Sequence, residues 1–371
     1  MPKNRIKVID LFAGAGGLGV GAVDAGAYVA ASVELDSTAC ETLRANSAIH
    51  GVVLECDVSG LDGSTLRAAA NISQDDVLIV VGGPPCQPFS KAAYWTDEGT
   101  DAAYRRARSL GMAAERPAAK TTAKKDARRD LVKEFWRLVV ETNADGFVFE
   151  NVPSIKHPRN KPVYDSFVRR ARKDGFKLRE LHVKAIEFGV PQARERVVVL
   201  GSRQAVPPVP LPTHSLDPES GLLPVVSAGS ALEEFSGQEF HEPEEVISGR
   251  WADHLRAVPP GGNYKAHTSW AGHPNPTFVA ETRFWNFLLK LSPDRPSWTI
   301  PASPGPWTGP FHWDSRRLRT VELAALQGFP KEYVIKGSRR ERVRQMGNAV
   351  PVPVAKAVVE SVISTLKASS E

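Results

Sequence analysis

The chain has 371 residues, 42% of them hydrophobic, with 47 Lys and Arg against 42 Asp and Glu, a net charge of +5 and a pI near 9.0. That is enough chain for one large domain or two with a real core, at the apolar content of a soluble globular protein. Several classes are excluded: no run of about 18 apolar residues predicts a membrane-spanning helix, the short apolar start around Asp10 does not read as a signal peptide, and Cys40, Cys56 and Cys86 are too scattered for a disulfide framework or a zinc site, which fits a reducing compartment.

The first 200 residues alternate short apolar runs with amphipathic patterns. Strands are expected over 7–12, 28–33, 52–55, 77–81, 147–150 and 197–201, and helices near 17–25, 37–46, 130–142 and 163–174. This alternation predicts an α/β fold, a Rossmann-like, mostly parallel sheet covered on both faces, with ligands at the carboxyl ends of its strands. The first such end carries DLFAGAGGLGVG (10–21), in which Gly14, Gly16 and Gly19 satisfy G-x-G-x-x-G. Glycines there permit a tight turn and close approach of a ligand to a helix N-terminus. Glu34 ends the second strand, placed to accept hydrogen bonds from ribose hydroxyls, and Asp57 follows the third, placed to meet an adenine amino group. An adenosine-type cofactor is expected; the spacing does not distinguish NAD from S-adenosylmethionine.

The fourth strand runs into VGGPPCQPFS (81–90), which frames Cys86 between prolines. An ordinary core cysteine needs no such rigidity, whereas an aimed nucleophile does. A long basic loop is expected over 91–129, where apolar periodicity is lost. Positive residues also crowd 156–184 and 331–344, a distribution suited to an anionic partner, while 233–245 is acidic. Beyond Arg203, to about Thr308, the chain turns rich in Pro, Gly and Trp with weak periodicity and reads as a second, irregular domain. Helical pattern returns at 319–327 and 352–366.

At this point the sequence resembles the DNA (cytosine-5) methyltransferase family. DLFAGAGG (10–17) is similar to the family's donor motif, GGPPCQPFS (82–90) to its nucleophile motif, Glu150-Asn151-Val152 to its Glu-Asn-Val motif and QARER (192–196) to its Gln-x-Arg-x-Arg motif. TVELAALQGFP (320–330) and QMGNAV (345–350) resemble its last two, and all occur in the family's order across nearly the whole chain. The resemblance implies S-adenosyl-L-methionine as cofactor, held by Phe12, Ala13, Gly14, Gly16, Gly17, Leu18, Glu34, Leu35, Asp57, Val58, Pro85, Asn348, Ala349 and Val350, with no metal. It implies Cys86 as a thiolate adding to C6 of a cytosine, which gives C5 carbanion character. Glu150 would meet N3 and the exocyclic amine, its place after an apolar strand suiting a raised pKa, and Arg194 and Arg196 would hold O2 or a neighbouring phosphate. The base must be extruded from the helix for this chemistry, and the loop over 91–129 would close behind it. The resemblance implies a catalytic domain over 1–201 and 341–371 and a target-recognition domain with hinge over 202–340. It also implies double-stranded DNA as partner, a monomer in the bacterial cytoplasm at the nucleoid, and a restriction-modification or epigenetic setting with a cognate endonuclease. A tRNA-methylating branch shares the nucleophile motif, so RNA stands as the alternative substrate.

Overall fold

The computed structural model describes residues 6–89, 103–104, 107–108, 112–115, 123, 125–280 and 283–367. The basic loop expected over 91–129 lies largely outside the described residues. Seven strands form one sheet: β1 (Lys7–Leu11), β2 (Tyr28–Glu34), β3 (Val52–Glu55), β4 (Leu78–Gly82), β5 (Gly146–Asn151), β6 (Lys177–Lys184) and β7 (Glu195–Ser202). Their order is β3-β2-β1-β4-β5-β7-β6. The first five are parallel, and β7 runs antiparallel to both β5 and β6. The central strands LIVVG and GFVFEN are buried along their whole length, as parallel strands covered on two faces must be. The charged sequence KLRELHVK of β6 sits at the sheet's edge, mostly half-exposed, and presents no apolar run from which a strand is expected.

Helices cover both faces. On one, α4 (Leu131–Glu141) and α5 (Lys161–Lys173) bring Phe135, Trp136 and Phe167 against Phe147 and Phe149 of β5; α1 (Gly17–Asp24), α2 (Ser37–Ala45) and α3 (Gly63–Ala69) precede them in the chain. Phe135 meets Phe149 edge-to-face at 5.4 Å between ring centroids, and truncating any such fully buried ring costs about 3–5 kcal/mol. On the other face α1 and the C-terminal helix α8 (Val352–Lys367) lay Leu18, Val354, Val358, Val359 and Val362 over Val8, Ile79, Val81, Val148 and Val198. The stretch Arg339–Leu366 has the length and mean hydropathy, 1.4, of a membrane-crossing segment, but 72% of its apolar window is buried inside the protein. It is a core element.

Residues 203–318 are irregular, as expected, with a small core of their own built on Leu255, Val258, Tyr264, Phe278, Leu288 and Phe311. Several of the tryptophans and phenylalanines there remain exposed, including Trp270, Phe284, Trp285 and Trp298. Two further helices, α6 (Thr320–Ala325) and α7 (Arg339–Asn348), join this region to the sheet. Leu232, Leu291, Ile300 and Leu318 pack with Leu326, Phe329, Tyr333 and Met346, and the cluster reaches Ala15 and Val20 of the glycine turn and α1.

Candidate active site

The carboxyl ends of β1, β2, β4 and β5 open on one cavity of about 640 Å³. The turn after β1 bends through left-handed conformations at Phe12 (φ 57°), Gly14 (φ 54°) and Gly16 (φ 83°). A phenylalanine in that region is strained, and such strain persists where the surroundings fix it. The fixing bonds are on the same turn: the Gly14 amide donates to Glu34 Oε2 at 2.8 Å and the Ala13 amide to Val33 O at 3.1 Å. Glu34 Oε1 accepts from the amides of Leu35 and Asp36, both at 2.8 Å, so three N–H groups orient its carboxylate. Asp57 Oδ1 accepts from Ser59 N at 2.9 Å and Ser59 Oγ at 2.7 Å, and these bonds hold its carboxyl below the usual range.

The cysteine's frame is built by its neighbours. Asn151 Nδ2 donates to Pro84 O at 3.0 Å while Asn151 Oδ1 accepts from the Val152 amide at 2.9 Å. Downstream, the Phe89 amide closes a turn on Cys86 O at 2.9 Å and Ser154 Oγ donates to Phe89 O at 2.5 Å. Asn151 of the Glu-Asn-Val motif and Ser154 just after it thus hold the segment on either side of Cys86. Burial pushes the Cys86 thiol up, Arg196 and Arg194 oppose that, and Glu150 adds to it.

Glu150, 8% exposed at the end of β5, meets Arg196 with Nε 2.5 Å from Oε1. Its other oxygen points toward Gly83: a β-carbon at Gly83 would stand 2.9 Å from Glu150 Oε2, so glycine is what leaves room for the carboxylate. Arg196 also donates through Nη1 to Glu195 O at 2.7 Å.

Of the residues expected to hold the donor, Phe12, Ala13, Gly14, Gly17, Leu18, Glu34, Leu35, Asp57, Val58, Pro85, Asn348, Ala349 and Val350 line this cavity, together with Cys86, Glu150 and Arg196. Two expected residues do not line it. Gly16 faces backward, where a β-carbon would meet His50 and the Tyr333 hydroxyl. Arg194 is buried behind the wall, donating to Gly347 O at 3.0 Å and to Gln192 Oε1 at 3.5 Å, and burial with the nearby Arg196 charge pushes it down to about 9. Gln192 in turn donates to Leu326 O at 3.0 Å and Gln327 Oε1 at 3.1 Å. The first half of the Gln-x-Arg-x-Arg motif therefore ties the last two motifs together, and the second half reaches the cavity.

Sequence reasoning passed over the rim. Arg344 of α7 donates to Asp36 Oδ2 at 2.7 Å across the cavity mouth, and Arg128, paired with Asp126 at 2.7 Å, lines the cavity too. The acid two residues after Glu34 and the basic run in α7 were the available signals.

Known proteins fit this geometry. The family model described as C-5 cytosine-specific DNA methylase matches residues 6–115 and 117–364. The chain is 33% identical to the Type II methyltransferase M.SacI of Streptomyces achromogenes, over 98% of this chain and 94% of that one. It is 30% identical to the Type II methyltransferase M1.HphI of Haemophilus parahaemolyticus, over 96% and 86% respectively. Among solved structures, a candidate DNA modification methyltransferase encoded within an Escherichia coli prophage superposes with a TM-score of 0.68 at 20% identity, covering 98% of this chain and 99% of that one. The Dnmt2 methyltransferase of S. pombe gives 0.55 at 16% identity, covering 98% and 99%. With five of its six motifs contributing to one cavity and the match spanning nearly its whole length, the chain belongs to the C-5 cytosine-specific DNA methylase family and is a DNA (cytosine-5) methyltransferase.

Proposed function

We propose that this protein methylates C5 of an extruded cytosine within a specific duplex sequence, with S-adenosylmethionine as donor and Cys86 as the nucleophile at C6. The observation that carries the reading is the convergence of Cys86, Glu150 and Arg196 on the same cavity as Glu34 and Asp57. The residues fit an adenosine-bearing donor: Glu34 and Asp57 offer oriented carboxylates for hydroxyl and amine donors, and Phe12, Leu35, Val58 and Pro85 offer apolar faces. When bound, S-adenosylmethionine supplies an electrophilic methyl group for C5.

The chain's own residues do the rest. Cys86, as thiolate, bonds to C6 and opens the C5–C6 double bond, passing electron density to C5 and toward N3 and O2. Glu150 holds a proton at N3 through the oxygen that faces Gly83, and Arg196 orients Glu150 while offering its guanidinium to O2. Water then takes the C5 proton, the electron pair of the C5–H bond re-forms the C5–C6 double bond, and Cys86 leaves as thiolate. None of this is feasible on a stacked base, hence the extrusion. The irregular region over 202–340 serves as target-recognition unit and hinge, and the sheet with 341–371 as catalytic unit.

The relatives' names as Type II methyltransferases support a restriction-modification setting; a cognate endonuclease, and a monomeric enzyme working on nucleoid DNA in the bacterial cytoplasm, complete the proposal. The Dnmt2 likenesses, at 16% identity, bear on the fold alone. Transfer of labelled methyl groups to genomic DNA but not to total tRNA is the expected result, with bisulfite sequencing of host DNA giving the target. Labelling of tRNA alone would move the reading to RNA.

A further inference from the structure

Beneath the glycine turn lies a buried polar cluster that no step above uses. Asp10, at 0% exposure in β1, has no side-chain hydrogen-bond partner for either carboxyl oxygen among the described residues, and the Gly19 amide is the one backbone donor that faces it. His50, also at 0%, places Nε2 2.7 Å from the Tyr333 hydroxyl, and Tyr333 donates its O–H to Ala15 O at 2.6 Å. Tyr333 has a single proton and spends it on Ala15 O. His50 Nε2 must therefore carry a proton and donate, which leaves His50 Nδ1 a bare acceptor, itself buried without a partner.

Both open ends border one point beside Gly19 without bonding each other directly. The point that a β-carbon on Gly19 would occupy lies 2.8 Å from His50 Nδ1 and 3.3 Å from Asp10 Oδ2. The missing side chain of Gly19, third glycine of the motif, leaves space just where a carboxyl and an imidazole need to meet, directly or through one water. Two unprotonated acceptors opposed there would be costly. One hydrogen removes the conflict.

We propose that a single proton on Asp10, directed at His50 Nδ1, completes a buried chain Asp10–His50–Tyr333–Ala15 that positions the glycine turn of the donor pocket, making these three side chains positioning residues. The proposal rests on the cavity being the donor pocket. Burial supports it: Asp10 is pushed up to about 8 and His50 down to about 4, so the proton rests on the carboxyl. The groups facing Asp10 are His50, the Gly19 amide, Tyr333 and Glu34, and the negative charge of Glu34 favours the same state. His50 is further anchored by Ser32 Oγ, which donates to its carbonyl at 3.0 Å. Because Tyr333 packs in the cluster that joins residues 228–300 to the turn, the chain also links the hinge to the donor loop.

The test is the affinity of the full-length protein for S-adenosylhomocysteine by calorimetry between pH 6 and 9.5, with His50 ring resonances followed in the same samples without ligand. The wild type is expected to hold its affinity to about pH 7.5 and lose about tenfold by pH 9.5, with a midpoint near 8 that the His50 resonances share. Asp10→Asn, whose amide supplies the hydrogen at every pH, is expected to bind within about threefold of wild type at pH 7 and to lose the alkaline fall. Tyr333→Phe is expected to bind about tenfold more weakly throughout. A flat wild-type profile, or an alkaline fall that survives in Asp10→Asn, overturns the proposal. So does a His50 that carries its proton on Nδ1. If no variant binds the probe while the His50 resonances titrate with Asp10, the donor-pocket reading fails and the proton chain stands. Should Asp10→Asn not fold, the wild-type titration and Tyr333→Phe decide by the same criteria.

Discussion

Within the sheet the backbone satisfies itself: ladders running through all seven strands pair its polar groups, and the reactive side chains project from strand ends whose positions those ladders fix. Over 203–319 the backbone pairs through turns, isolated bridges and short strands of two residues, and long side chains add to that pairing. Lys290 Nζ donates to Val258 O at 2.6 Å, His267 Nε2 donates to His254 O at 2.7 Å, and Arg319 Nη1 donates to Phe235 O at 2.6 Å and Gly237 O at 2.9 Å. Arg319 is further held by Glu245, with Nε 2.6 Å from Oε2, both side chains nearly buried. The difference is instructive. A ladder cannot be redrawn locally without moving every strand, which suits chemistry that must not change. Loops pinned by individual long side chains can be exchanged segment by segment, which suits the target-recognition role proposed for this region.

The sharpest break between the two regions is Cys86→Ser. It is expected to lower methyl transfer by about 10⁴-fold or more while DNA binding survives, measured by labelled transfer and gel shift on the same preparation; retained turnover would remove the nucleophile. Glu150→Gln is expected next, with a loss of roughly 10²–10⁴-fold in transfer and little change in donor affinity. An unchanged rate would leave Arg196 without the partner this account gives it.

Arg319→Leu probes the other construction. It removes the nearest partner of Glu245 and leaves, among the described residues, only Arg316 at 3.9 Å and His241 at 3.6 Å, and breaking a buried pair costs up to about 3–5 kcal/mol. Denaturant unfolding followed by the tryptophans should show the region over 203–318 melting first, with S-adenosylhomocysteine binding retained; joint loss of both would mean that the two regions are one cooperative unit. The smallest effect is expected for Asp57→Ala, about tenfold in donor affinity with the rate at saturating donor nearly unchanged, since Asp57 is set to hold a ligand group and touches no reacting atom.

The legibility of the molecule in its sequence divides along the same line. Strand ends and helix starts follow from apolar periodicity and glycine spacing, which put Glu34, Asp57 and Cys86 at strand ends; the role of Glu150 came from the family resemblance, and all four line one cavity. The edge strand Lys177–Lys184 escaped because it is mostly half-exposed and charged, with no apolar run to announce it. Arg194 shows a second limit. The resemblance gave it the same role as Arg196, but whether an arginine points into a cavity or into the packing behind it depends on Gly347, which is 153 residues away. Gly16 behaves alike, turned toward His50 and Tyr333 by contacts no local spacing contains. In the irregular region Tyr264 is core and Trp270 is exposed, and nothing in their neighbourhoods in the chain separates them.

The central claim is a transient bond between sulfur and a pyrimidine ring, and trapping that bond tests it most directly. A duplex carrying 5-fluorocytosine at the site found by bisulfite sequencing, incubated with protein and S-adenosylmethionine, should give a denaturation-resistant one-to-one adduct whose tryptic peptide maps to Cys86, absent in Cys86→Ser. Methylation of the unmodified duplex without any adduct on the fluorinated one, or an adduct that persists in Cys86→Ser, would contradict the account.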